Sequence, residues 1–138
     1  MTNLELAKNN LRGHTICLAK DGKILTSDSR GISPMMNFLA EGVDLRGFSV
    51  ADLVVGKAAA MLFVKAGIKE VFAKTLSESG KKVLEEHGIH FEAEILTERI
   101  INRLGTDICP MEKAVSFTDD VEEGYLKLKE TLAKMQKK

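Results

Sequence analysis

The stretch GTDICPMEKAV sets Cys109 directly before Pro110, with Glu112 three positions after the cysteine. A proline at the first helical position sacrifices no hydrogen bond and brings its φ preset for a helix, so the pattern predicts a helix start capped by Cys109. Glu112 then holds the acid position of a capping box, reaching back toward the cap's own N–H. A sulfur at such a start lies beside unpaired N–H groups and the positive end of the helix dipole, which favours the thiolate and hence a nucleophile. The same cysteine also reads as a small buried hydrophobe that only begins a helix. Upstream, Asn102, Arg103 and Asp107 put an amide, a cation and an acid into the same short segment as the thiol.

Further residues can carry chemistry elsewhere. Asp52 stands three positions after Ser49, the spacing of a second capping box, and it reads either as a capping acid or as an acid facing a ligand. Lys57 lies in an apolar stretch beside Gly56 and Ala58. It can snorkel to solvent or meet an anion. Ser27-Asp28-Ser29-Arg30-Gly31 is a polar exit from a hairpin that is either a turn or a means of presenting the Arg30 fork to a carboxylate or phosphate. His90-Phe91-Glu92 imitates the HxE of zinc deaminases, yet on a strand the two polar side chains share a face that solvation explains equally well. With two cysteines and three histidines, the chain holds no CxxC, HxxxH or HExxH, so no metal is expected. Gly56-Lys57 lacks the glycine spacing of a phosphate loop, and no GxSxG elbow occurs.

The elements that must position these residues follow from local patterns. HTICLAK and KILTSDS flank Asp21-Gly22, a dipeptide that accepts the positive φ angles of a tight hairpin turn, so strands are expected over 14–20 and 23–27. Asn3 is read as the cap of a short helix through Asn10, with Leu4 and Leu11 facing the hairpin. Pro34 opens a helix that ends at Gly42. From Ser49 onward, Ala51, Val54, Val55, Ala58, Met61 and Leu62 follow helical spacing, which predicts one long buried helix stopped by Gly67. IKEVFAKTL reads as a strand, SESGKKVLEEHG as an amphipathic helix with a serine cap, and IHFEAEIL as a strand. ERIINRLG fits either a helix or an edge segment. After CPMEKAV, Thr118 is expected to cap a final helix reaching Met135. This β-α-β-α-β order implies parallel pairing with helices over the sheet.

Composition narrows the classes. At 138 residues, 44% of them hydrophobic, the chain has the size and apolar content of one domain with its own core. The 20 basic and 20 acidic side chains balance, so bulk binding to nucleic acid is not expected. No apolar run reaches the roughly 20 residues of a membrane span, and MTNLELAKNN has no signal-peptide core, so a cytoplasmic protein without membrane contact is expected. Two cysteines in separate elements point to reduced thiols.

The order of elements resembles the cytidine deaminase-like fold, and the words DLVVGKAAAMLFVKAGIKEVFA and INRLGTDICPMEKAV look like an uncharacterised family of small prokaryotic proteins assigned to that fold. The resemblance spans about Leu11 to Val115 and implies a three-layer α-β-α architecture with a mixed sheet. Zinc deaminases carry an HAE triplet at a helix start and a TLEPCxxC-like segment that supplies two thiolates. Val50-Ala51-Asp52 matches the first, or Lys57-Ala58-Ala59 in an alternative register, and Thr75 to Lys82 matches the second. Ser79 and Lys82 stand where the cysteines would be, so the resemblance implies a fold without the zinc ligands and no cofactor. What it retains is a cleft at helix starts suited to a small anionic or nucleotide-like molecule. Two functions follow as expectations. One is a metal-independent enzyme in which Cys109 and Asp52 act as nucleophile and acid/base while Arg30, Lys57, Asn102, Arg103 and Asp107 hold the substrate. The other is a non-catalytic binding or interaction module, with a homodimer formed through outer helices.

Overall fold

The computed structural model describes residues 2–29, 31–100 and 109–136. Asp21 and Gly22, at φ 50° and 84°, form the tight turn that joins β1 (Ile16–Lys20) to β2 (Lys23–Ser27). β1 also pairs antiparallel with β3 (Ser49–Val55), and β3, β4 (Glu70–Ser77) and β5 (His90–Thr97) run parallel, giving the order β2-β1-β3-β4-β5. α1 (Asn3–Asn9) covers one face of this mixed sheet through Leu4, Ala7 and Leu11, which pack on Cys17, Ala19, Ala51 and Phe72. The larger core lies on the other face, under α2 (Ser33–Ala40), α3 (Lys57–Ala66) and α4 (Glu78–Glu86), with α5 (Pro110–Val115) and α6 (Val121–Gln136) packed on α3. The result is the three-layer α-β-α arrangement with a mixed sheet that the family resemblance implies. No described helix is long and apolar enough to cross a membrane.

The long helix expected from Ser49 is two elements. Residues 49–55 are the central strand of the sheet, and the helix begins only after Gly56. A strand buried on both faces is apolar at nearly every position and shows no alternation. Val50 and Ala51 are both fully buried, the first in the larger core and the second under α1. The run therefore also satisfies helical spacing, while its β-branched Val50, Val54 and Val55 favour the strand. Ser49 and Asp52 form no capping box: Ser49 Oγ donates to Glu70 Oε1 at 3.0 Å. α3 follows as a central helix with Ala58, Ala59, Ala60, Met61, Leu62, Phe63 and Ala66 buried, and it stops at Gly67 in the left-handed conformation.

Three caps also differ from the sequence reading. Thr2, not Asn3, caps α1, in a reciprocal box with Glu5. Asp120, rather than Thr118, accepts the Glu123 N–H at 3.0 Å at the start of α6, while Thr118 Oγ1 accepts from Asp120. Cys109 is the N-cap residue of α5, but no side chain bonds at that cap, and Glu112 points elsewhere.

Candidate functional site

Glu112 reaches across to α3. Its Oε1 accepts the Lys57 N–H and its Oε2 the Ala58 N–H, each at 2.8 Å. The first amides of a helix have no partner within it, and the dipole makes that end positive, so a carboxylate set on two of them meets both needs. Gly56, in extended conformation, precedes the helix without a side-chain cap of its own. A Cβ there would stand 2.3 Å from Glu112 Oε1, so the glycine makes room for this tertiary cap.

A second glycine brings α4 to the same place. A Cβ on Gly80, in the first turn of α4, would lie 2.9 Å from the carbonyl carbon of Gly56 and 3.0 Å from its oxygen. The starts of α3 and α4 thus touch backbone to backbone. Ser77 caps α4 by accepting the Gly80 N–H at 3.0 Å. Because backbone faces backbone, Gly80→Ala has no flexible side chain to displace and is expected to cost about 2 kcal/mol, the range of an overpacked core. A urea melt reads this, and an unchanged midpoint would refute the close approach.

The largely buried Lys57 side chain reaches the exposed Asp119, with Nζ 3.1 Å from Oδ1. The Lys57 hydrogen bond holds the Asp119 carboxyl below the usual carboxylate range. The cation expected to meet an anionic ligand is therefore already paired within the chain.

Asp52 lies in the middle of β3 rather than at a helix start. Its register neighbours are Ile16 on β1 and Ala73 on β4, both members of the larger core. Side chains opposed across paired strands share a face, so the carboxyl points to the side of α3. It is 8% exposed, and burial pushes its pKa up to about 7, against smaller lowering contributions from the backbone N–H groups of Val54 and Leu53. Oδ1 accepts the Val54 N–H at 3.4 Å. Cys109 is half-buried and packs against the same larger core, so acid and thiol lie on one side of the sheet. Arg30, Asn102, Arg103 and Asp107 fall outside the described residues.

Of the two deaminase registers, Val50-Ala51-Asp52 sits within a strand, whereas Lys57-Ala58-Ala59 stands at a helix start. Ser79 and Lys82 stand in α4. Alanine, a lysine already ion-paired to Asp119 and a serine do not make a zinc site, and the neighbouring Glu112 carboxylate is spent on backbone amides. Among the described residues no three His, Cys, Asp or Glu side chains cluster as metal ligands. His90 and Glu92 are exposed on edge strand β5, where Glu92 pairs with Lys8 at 3.2 Å.

Two surface grooves are lined by other residues. One, of about 260 Å³, runs between α5 and α6 past Phe117 and Lys127. The other, of about 520 Å³, lies beside the end of α1, with Arg12 and Lys74 among its lining residues. The sequence reading missed both Glu112 as a tertiary cap and this second groove. The run Arg12-Gly13-His14, shortly after α1, is the signal available for the latter.

The structure is similar to that of a DUF1893 family protein (TM1506) from Thermotoga maritima, with a TM-score of 0.82 and 26% identity over 97% of this chain and 91% of that one. Weaker likeness extends to a Thermotoga maritima diaminohydroxyphosphoribosylaminopyrimidine deaminase/5-amino-6-(5-phosphoribosylamino)uracil reductase, at TM-score 0.46 and 21% identity over 67% of this chain and 34% of that one. It also extends to dCMP deaminase from cyanophage S-TIM5, at TM-score 0.45 and 16% identity over 65% and 90% of the two chains. No curated protein matches the sequence. The family described as TM1506, domain of unknown function (DUF1893), matches residues 5–132, and the chain belongs to that family.

Proposed function

We propose that this protein binds a small polar or anionic molecule without hydrolysing it, using a deaminase-like fold as a rigid frame. The observation that carries this reading is the Glu112 carboxylate on the Lys57 and Ala58 amides. It occupies the start of α3, where the alternative deaminase register, Lys57-Ala58-Ala59, falls, and none of those three residues supplies an imidazole or a carboxylate. A thermal-shift screen against nucleosides, nucleotides and sugar phosphates, with the ligand recovered and analysed afterwards, tests the proposal. A ligand that raises the melting temperature and is returned unchanged is expected, since preferential binding to the native state stabilises it. Either no stabilising ligand or a ligand consumed by the protein contradicts it.

Asp52 favours a second reading, a metal-independent enzyme. A buried acid whose pKa is raised to about 7 is suited to proton transfer near neutrality. In this reading Asp52 is the acid/base and Cys109 the nucleophile, with Arg30, Lys57, Asn102, Arg103 and Asp107 holding an anionic substrate. Iodoacetamide labelling of the native protein at pH 7 separates the two readings. The enzyme reading predicts that Cys109 reacts faster than free glutathione; labelling that awaits unfolding excludes it.

A further inference from the structure

On the α1 side of the sheet, the groove of about 520 Å³ has an apolar floor and charged walls, and its size is that of a small-molecule cleft. Leu11, Leu53 and Phe72 line it, with Leu11 and Phe72 buried in the smaller core. The register that pairs Asp52 with Ala73 and Val54 with Thr75 sets Leu53 beside Lys74; the next register sets Lys74 beside Glu94. α1 packs over β1, β3 and β4, so its last turn forms one wall and the exposed faces of β4 and β5 the other.

The charges in this groove divide into committed and uncommitted groups. Lys8 is bonded to Glu92 at 3.2 Å and lies 4.7 Å from the centre of the Phe72 ring. His14 is bonded to Asp28 at 2.6 Å. The side chains of Arg12, on the α1 side, and Lys74, on the sheet, make no hydrogen bond or ion pair among the described residues, and neither does that of Glu94. Two unspent cations from opposite walls suit one anionic group between them, and the arginine fork matches the oxygens of a phosphate. The floor of Leu53 and Phe72 suits a flat apolar ring, and Glu94 can accept an N–H from its edge.

We infer that this groove is a binding site for a small organic phosphate carrying a flat ring with an N–H donor, held by Arg12 and Lys74 over Leu53 and Phe72. The inference rests on the binding reading above and gives it a place and a ligand class. The test uses amide NMR shifts and calorimetry on the full chain with three probes: adenosine monophosphate, inorganic phosphate and adenosine. The expected result is saturable binding of the monophosphate, tighter than either fragment, with shifts at Leu53, Phe72 and Lys74. Arg12→Gln and Lys74→Gln should each weaken it at least tenfold, while Lys127→Gln on α6, across the sheet, leaves it unchanged. Both variants alter exposed side chains, so their spectra also report that the fold is intact. Inorganic phosphate binding as tightly as the monophosphate overturns the ring contact, and no binding of any probe overturns the site. Shifts confined to α3 and α5, indifferent to both variants, overturn the site yet leave the binding reading standing, which its own screen decides.

Discussion

Replacing Glu112 by alanine is expected to lower stability by about 3 kcal/mol, because charge-assisted hydrogen bonds contribute roughly 1.5–3 kcal/mol each and a buried donor left without a partner incurs its full desolvation cost. Both bonds run to backbone amides at 2.8 Å across more than fifty residues of sequence, so no local rearrangement of α5 replaces them. For a chain of 138 residues that loss corresponds to a fall of roughly 10 °C in melting temperature. Glu112→Gln keeps one acceptor oxygen and should retain about half of the effect. An exposed acid such as Glu130, changed to alanine, should shift the melting temperature by no more than about 0.5 kcal/mol-equivalent. Thermal melts of the three variants rank them, and equal melting temperatures for Glu112→Ala and Glu130→Ala would show that the carboxylate holds nothing in place.

The second large effect is on the dependence of stability on pH. Asp52 titrates near 3.8 when unfolded and near 7 when folded, so the native state holds its proton more tightly than the unfolded chain does. Stability changes with pH in proportion to the protons bound by the unfolded state minus those bound by the native state. Between the two pKa values that difference is negative. The contribution of Asp52 is therefore fully present below about pH 4, is lost progressively as pH rises toward 7, and stays lost above it. The total lost is about 4 kcal/mol, at 1.36 kcal/mol per unit. Asp52→Asn keeps an oxygen for the Val54 N–H but carries no charge. It should match the wild type near pH 4 and exceed it by up to about 4 kcal/mol at pH 8. Urea unfolding at both pH values checks this, and an asparagine variant less stable than wild type at pH 8 would mean that the ionised carboxylate is stabilised by a partner.

Local chemistry accounts for what the sequence made legible. Asp21-Gly22 announces the hairpin, Ser77 and Gly67 mark helix ends, and the alternation of IHFEAEIL identifies a strand. Pro110 places the start of α5 correctly. The failures share a cause, which is that tertiary burial erases or redirects local signals. SVADLVV reads as a helix because a central strand covered on both faces is largely apolar, and Ser49 and Asp52 happen to fall at capping-box spacing. Glu112 reads as a partner for Cys109 because both are in reach along the chain; its actual partners belong to α3. No periodicity encodes such a contact. Asp52 reads in the sequence as an acid near a helix start; in the fold it is a candidate for a different reason, the apolar register neighbours Ile16 and Ala73.

The glycines connect fold to site. Gly56 and Gly80 let the starts of two helices meet, and the space beside Gly56 is filled by the chain's own Glu112 carboxylate. That internal carboxylate on the Lys57 and Ala58 amides is what the binding reading rests on.

The most direct measurement is the pair of amide resonances of Lys57 and Ala58 in nitrogen-correlated NMR spectra of wild type and Glu112→Ala. If the carboxylate caps α3, both amides shift upfield and lose hydrogen-exchange protection in the variant, while amides of α1 and the β1–β2 hairpin stay where they were. Lys57 and Ala58 resonances that do not move on loss of Glu112 would contradict the cap, and with it the reason for reading the helix start as closed.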